Sequence, residues 1–334
     1  MTQLAIRTHR LGRQFGSIRA VDDLDLEVPA GSVFGFLGPN GSGKTTTIRL
    51  LLGLIEPTSG EAEVLGFDPS RAGDRVRERS GALLEHAGLY ERLSADDNLE
   101  FVGRAWRMPA AARRARAQEL LGPLGLWERR REIVGTWSRG MKQKLAVARA
   151  LFQRPELVFL DEPTAGLDPI AAAALREDLA GLAAREGTTV FLTTHNLAEA
   201  QKLCALVGVI RSGRLLAVAP PEQLRATVRA TRMVVTGRGL EDRIARLVAG
   251  QPAVSAVELG DGRLTIALRD GQDTSPLVGL LVAEGVAVEE VRKGSADLEE
   301  AFLALMGEDE AGPGGPLGTG RPVRAAPAAG GEPA

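Results

Sequence analysis

Gly38-Pro39-Asn40-Gly41-Ser42-Gly43-Lys44-Thr45 decides the fold class of this chain. The stretch fits the pattern G-x-x-x-x-G-K-[ST], and its surroundings fit the same reading. Val33-Phe34-Gly35-Phe36-Leu37 precedes it as an unbroken apolar run, as in a strand buried on both faces of a parallel sheet. An apolar helix is expected after it, over Thr46–Leu54. In that context the glycines let backbone N–H groups turn inward on phosphate oxygens, and the helix start adds the positive end of its dipole. Lys44 can then reach the β and γ phosphates, and the Thr45 hydroxyl can ligate Mg²⁺. Gly38, Pro39, Asn40, Gly41, Ser42, Gly43, Lys44, Thr45 and Thr46 are the expected binders of a nucleoside triphosphate.

Upstream, Leu4-Ala5-Ile6 and then Leu24, Leu26 and Val28 alternate as strands do, before the turn Pro29-Ala30-Gly31. Downstream, Leu157-Val158-Phe159-Leu160-Asp161-Glu162 is a second buried strand, ending in two carboxylates. The acid that closes such a strand holds Mg²⁺, directly or through water, and Asp161 takes that role. Glu162 projects to the other side of the strand end, where it could accept a proton from an attacking water. Between the two strands, Trp137-Ser138-Arg139-Gly140-Met141-Lys142-Gln143-Lys144-Leu145 opens a helix running to about Phe152, with Ser138 as its N-cap. The free N–H groups there suit a phosphate, although a capped helix alone would explain the pattern. A β-branched strand, Thr188–Thr194, ends at His195, which is either structural or on the ligand side of the sheet.

Charge and cysteine content exclude several classes. With 41 basic and 43 acidic residues the net charge is −2, so no nucleic-acid partner is expected. The single cysteine, Cys204, rules out an internal disulfide framework and a cysteine-rich zinc site, and three histidines are too few for a His cluster. No apolar run approaches the ~18 residues of a membrane span, and the N-terminus lacks a signal-peptide core, so a soluble cytoplasmic chain is expected.

The order of phosphate loop, Ser-x-Gly helix start, strand with Asp161-Glu162-Pro163, turn Gly166-Leu167-Asp168 and Thr193-Thr194-His195 resembles the ATP-binding subunit of ABC transporters, over about residues 4–225. The resemblance implies an α/β fold, a P-loop NTPase core with an inserted helical subdomain, using ATP and Mg²⁺. It implies that Asp161 supports Mg²⁺, Glu162 is the general base, His195 contacts the γ-phosphate and Asp168 lies in the loop coupling two subunits. It further implies a homodimer, or a heterodimer with a related ATPase. There the signature segment Ser138, Arg139, Gly140 and Met141 serves the partner's site in trans, with Ser138 and Gly140 completing it. Phe15 stands where the family's adenine-stacking aromatic would be, and reads equally well as a strand-end core aromatic. The implied partner is a polytopic membrane permease, with this subunit peripheral at the cytoplasmic face of the cell membrane.

Two positions depart from the family pattern. The signature usually reads Leu-Ser-Gly-Gly-Gln; here Arg139 adds a cation whose direction the sequence does not give. The family's glutamine at the start of the helical subdomain aligns with Glu85, a carboxylate that accepts but cannot donate. Either Glu85 ligates Mg²⁺ or His86 supplies the missing donor. Residues 86–145 read as the helical insertion, with helices over Asn98–Met108 and Ala110–Leu121, and with Arg113, Arg114 and Arg116 as solvated surface.

After the hairpin Gly208–Val218 the pattern changes. Strands 231–236, 254–259, 263–268 and 286–291 alternate with helices 240–249 and 275–284, the latter capped by Ser275 with Pro276 first, and a tight turn Gly260-Asp261-Gly262. The order βαββαβ points to a small ferredoxin-like α+β domain over 230–306. A last helix carrying Leu298, Ala301, Phe302, Leu305 and Met306 on one face is expected to dock on it. Its segment Asp297–Leu303 is similar to the closing helix of ATPase subunits from bacterial multidrug and antibiotic exporters with a separate permease. Export of a drug, antibiotic or lipid-like substrate is the expectation. The alternative is a soluble ABC-type ATPase or ATP-sensing module uncoupled from transport. In residues 307–334, thirteen of 28 are Gly or Pro, and a disordered tail is expected.

Overall fold

The computed structural model of the chain describes residues 3–227, 231–260, 262–269, 274–294, 302, 305 and 306. It divides into two compact units on either side of Pro220 and Pro221.

The first unit begins with β1 (Leu4–Phe15) and β2 (Ile18–Pro29), followed by β3 (Val33–Leu37), α1 (Lys44–Leu51), β4 (Ser59–Val64), α2 (Pro69–Arg79) and β5 (Ser80–Leu83). Three helices follow, α3 (Ala95–Ala105), α4 (Ala110–Leu121) and α5 (Arg139–Leu151). The remainder is β6 (Leu157–Asp161), α6 (Pro169–Glu186), β7 (Thr189–Thr194), α7 (Leu197–Leu203), β8 (Leu206–Arg211) and β9 (Arg214–Ala219). A six-stranded sheet has the order β5-β6-β7-β3-β8-β9, parallel except for β9; a three-stranded antiparallel sheet has the order β2-β1-β4.

The patterns explain these placements. In β2, Leu24, Leu26 and Val28 are buried while Asp25 and Glu27 face water, as period two requires of a half-covered sheet. Every residue of β6 and β7 is buried, and apart from Asp161 at the end of β6 these strands are apolar or β-branched throughout. The three strands at the centre are pinned by aromatic rings. Phe191 of β7 lies 5.3 Å from Phe34 of β3 and 5.6 Å from Phe159 of β6, centroid to centroid, and all three are fully buried. Truncating such a ring to alanine costs roughly 3–5 kcal/mol.

Helix α3 starts at Ala95, earlier than the expected Asn98. The Ser94 hydroxyl accepts from the Asp97 N–H at 3.0 Å, and Asp96 and Asp97 lie in the positive first turn. Helix α1 is displaced the same way, from Thr46–Leu54 to Lys44–Leu51, because Gly43 supplies the cap. The expectation that Arg116 is solvated is overturned. It is 2 % exposed, its guanidinium donates to both oxygens of Glu186 and to the carbonyls of Leu151 and Phe152, and it ties α4 to α5 and α6. Arg113 likewise is largely covered and forms a bidentate pair with Glu100 of α3. A one-chain pattern of arginines cannot distinguish a solvated face from one whose carboxylates come from other helices.

The second unit starts with α8 (Pro221–Thr227) and continues with β10 (Thr231–Arg238), α9 (Asp242–Ala249), β11 (Val254–Gly260), β12 (Arg263–Leu268), α10 (Ser275–Ala283) and β13 (Ala287–Gly294). Its sheet order is β11-β12-β10-β13 with every pairing antiparallel. Met233, Val235, Leu264 and Ile266 of the sheet and Ile244, Val248, Leu277 and Leu281 of the two helices form one buried core. Ser275 is the first residue of α10 and not its cap; Thr274 flanks the helix, with helical dihedrals and no side-chain cap bond. Asp261 of the expected turn, Leu298 and Ala301 of the expected last helix, and the tail 307–334 lie outside the described residues.

Candidate active site

Strands β6, β7 and β3 are neighbours in that order and run parallel, so their carboxyl ends open on one edge. Asp161 is level with Thr193, and Leu37 with Thr194. The phosphate loop, the acidic pair and His195 therefore meet there although they are far apart in sequence.

The loop folds tightly over α1. Gly43 has φ +109, and a Cβ at that position would lie 2.3 Å from the Ala20 carbonyl oxygen, so only glycine fits. Lys44, 6 % exposed, turns back to donate to the carbonyls of Gly38 at 2.8 Å and Pro39 at 3.1 Å. Its Nζ also stands 3.3 Å from Glu162 Oε1. The buried Ser42 hydroxyl has no hydrogen-bond partner among the described residues.

Asp161, 7 % exposed, is held through both oxygens. Thr45 Oγ1 donates to Oδ2 at 2.6 Å, and Thr193 Oγ1 donates to Oδ1 at 2.5 Å. Glu162 adopts φ +47, a conformation that costs a side-chain-bearing residue about 1–3 kcal/mol. Its N–H offsets part of that strain by donating to the Thr193 carbonyl at 3.1 Å and hydroxyl at 3.0 Å. The second Glu162 oxygen, Oε2, lies 3.0 Å from His195 Nδ1. An ionised carboxylate only accepts, so that nitrogen carries the proton.

Asn40, Gly41, Gly43, Lys44, Thr45, Thr46, Glu85, Arg139, Asp161 and Glu162 line a single cleft of about 450 Å³. Gly38 and Pro39 stand behind it as acceptors for Lys44. Glu85 faces the cleft, whereas His86 is exposed and outside its lining. Phe15 lies outside the lining as well. It is 45 % exposed with the Arg13 guanidinium 4.5 Å above its ring, which corrects its reading as a core aromatic. Ser138 is the expected cap of α5, its Oγ accepting from the Met141 N–H at 3.3 Å, and Met141 Sδ accepts from Arg129 at 3.2 Å. A Cβ on Gly140 would rest 3.5 Å from that of Ala171. Asp168 caps α6, accepting from the N–H groups of Ile170 at 3.1 Å and Ala171 at 2.9 Å.

Sequence reasoning missed two supports. Thr193 serves both acids at once, yet in the sequence it is one β-branched residue among several. Glu199, 2 % exposed, accepts from Thr164 at 2.8 Å, Thr194 at 3.1 Å and Arg176 at 3.0 Å, joining the segment after Glu162 to the end of β7 and to α6. Its only sequence signal is a glutamate on the apolar side of a short helix. Neighbouring Cys204 is buried, and burial first, the Glu199 charge second, pushes its thiol up to about 12.

Comparison with known proteins agrees with this geometry. The ABC transporter family model matches residues 21–165. The daunorubicin resistance ATP-binding protein DrrA3 of Streptomyces coeruleorubidus is 38% identical over 311 residues, covering 92% of this chain and 98% of that one. The bacitracin transport ATP-binding protein BcrA of Bacillus licheniformis is 35% identical over 303 residues, covering 90% and 97%. Among solved structures, an ATP-binding subunit of an ABC transporter superposes with a TM-score of 0.60 at 29% identity, over 67% of this chain and 92% of its own.

Proposed function

The chain belongs to the ABC transporter family of ATP-binding, ATP-hydrolysing subunits, and from that premise we propose that it powers a separate membrane permease exporting a drug or antibiotic. The observation that carries the hydrolytic part is the Glu162 carboxylate, held between Lys44 and His195 at the mouth of the phosphate-loop cleft. The export part is supported by resemblance to two antibiotic-related proteins along nearly the whole of both chains, second unit included. Among the described residues no helix is long and apolar enough to cross a membrane, which fits a peripheral subunit at the cytoplasmic face.

In this reading Lys44 and the loop N–H groups bind the β and γ phosphates of ATP, and Phe15 stacks on the adenine. Mg²⁺ fits the oxygens of Thr45 and Asp161, which converge at 2.6 Å and are the hard donors it prefers. Bound there with Glu85 nearby, it would neutralise charge on the phosphoryl group. Glu162 takes a proton from the attacking water on a carboxylate oxygen, and His195 orients that carboxylate and reaches the γ-phosphate. Lys44 cannot fully serve Glu162 and the phosphates together, so phosphate binding loosens the Lys44–Glu162 pair and frees a carboxylate oxygen for the water. Two copies, or one copy and a related ATPase, close on two nucleotides, with Ser138, Arg139, Gly140 and Met141 facing the partner's site and Asp168 in the coupling loop.

We assign residues 1–225 to the ATPase domain, with a helical subdomain at about 86–145. The second domain, 230–306, is assigned a ferredoxin-like fold, supported by the order β11-β12-β10-β13 and its antiparallel pairings. The deciding experiment is purification of the tagged chain from native membranes, with phosphate release measured with and without Mg²⁺. A polytopic membrane protein should co-purify and hydrolysis should need Mg²⁺. Recovery with ribosomes or nucleic acid alone would reject the transport reading.

A further inference from the structure

Phe15 closes β1 and pairs across the hairpin with Ile18 of β2, so its ring stands at the tip of a tight turn that Gly16 makes at φ +56. Two residues beyond Ile18, Ala20 lines the phosphate-loop cleft, and its carbonyl oxygen is the atom that a Cβ on Gly43 would strike. The tip therefore adjoins the start of α1, while the ring itself stays outside the cleft lining. A ring 45 % exposed can stack on a flat ligand, and its orientation then depends on what holds its other face.

Arg13 holds that face. Residues 13 and 15 fall on the same side of β1, and the guanidinium carbon of Arg13 lies 4.5 Å from the Phe15 ring centroid. Arg13 Nη1 donates to the Glu56 carbonyl at 2.8 Å, which anchors the group to the segment that follows α1. Its Nε is buried without a hydrogen-bond partner among the described residues, as befits a group laid against a ring. The other arginines of β1 and β2, Arg7, Arg10 and Arg19, sit instead on the carboxylates of Glu27, Asp23 and Asp22. Gln14 braces the turn from beside it, donating its N–H to Thr58 Oγ1 at 3.1 Å and its side-chain amide to the Gly16 carbonyl at 2.7 Å.

The face of an aromatic ring is electron-rich, as is that of a purine, and a cation behind one of them reduces the repulsion between the two. We propose that Arg13 is the positioning residue of the base site: it covers one face of Phe15, leaves the other for the adenine, and strengthens that stack through its charge. This rests on the nucleotide reading of the cleft and on Phe15 as the ring that takes the base. The loop around Lys44 then recognises the phosphates, and the turn between β1 and β2, set by Arg13, recognises the base.

The test is calorimetric binding to the full chain of the imido analogue of ATP and of tripolyphosphate, which has the phosphates without the base, each with Mg²⁺. Phe15→Ala should weaken the nucleotide about tenfold and Arg13→Ala about threefold, both leaving tripolyphosphate as in the parent. Arg13→Lys should recover part of the loss, because it restores the cation without the flat fork. Added to Phe15→Ala, Arg13→Ala should cost nothing further. Equal losses for nucleotide and tripolyphosphate in Arg13→Ala, a loss that persists when the ring is gone, or no loss, would overturn the proposal. The underlying readings fail separately: the stacking role of Phe15 falls if Phe15→Ala leaves the nucleotide bound as before, and the reading of the cleft falls if Lys44→Ala leaves both ligands bound as before.

Discussion

Glu162 Oε1 stands 3.3 Å from Lys44 Nζ, with the ammonium 6 % exposed and the carboxylate side chain 25 % exposed. The residue proposed to activate water and the residue proposed to bind phosphate thus neutralise one another directly. A phosphate entering the loop would compete with Glu162 for the Lys44 ammonium.

With Glu162 as the general base, Glu162→Gln lowers ATP turnover by about 10²-fold or more while ATP binding persists. Phosphate release and equilibrium binding, measured on the same preparation, check this. Turnover within about twofold of the parent would reject the assignment.

Thr193→Val removes the hydroxyl that donates to Asp161 Oδ1 and accepts from the Glu162 N–H. Leaving buried groups unpaired costs about 1–3 kcal/mol. The Mg²⁺ concentration giving half-maximal hydrolysis should rise along with a drop in melting temperature, and Thr193→Ser should recover most of both.

Glu199→Ala strands the Arg176 guanidinium, which is 17 % exposed, and frees Thr164 and Thr194. Breaking a buried pair costs about 3–5 kcal/mol, or roughly 6–20 °C in the unfolding midpoint of a unit of this size. Calorimetry that found a shift of about 1 °C would show the network to be dispensable.

Cys204, with its thiol near 12, carries about one thiolate in 10⁴ at pH 8 and is buried. A disulfide reagent should titrate no thiol in the native protein at that pH and one per chain in denaturant. One fast equivalent in the native state would mean that α7 opens readily.

Hydrogen bonds from Arg113 first and Arg104 second lower the Glu100 carboxyl to about 2 from its ordinary 4.5. A depressed acid stabilises the fold above its unfolded value, and loses that contribution as pH falls through the folded one. The stability gap between the parent and Glu100→Gln should be constant above about pH 5 and close toward about pH 2. Because the group is partly exposed, the plateau should be about 0.5–1 kcal/mol. A gap that widened with acid would contradict the pairing.

The sequence by itself determined whatever depends on neighbouring residues: the strand, loop and helix around Lys44, the strand ending in Asp161 and Glu162, the cap at Ser138 and the alternation of strands and helices after residue 230. Periodicity and turn chemistry act over a few residues, so a linear reading reaches them. Only the tertiary structure decided that β7 lies between β6 and β3, and therefore that Thr193 clamps Asp161 and that His195 faces Glu162. It also decided that Arg116 is buried on Glu186. Each of these depends on where a side chain finds a partner from a distant segment. The order of parallel strands and the packing of helices set those meetings, and neither leaves a local pattern in the sequence.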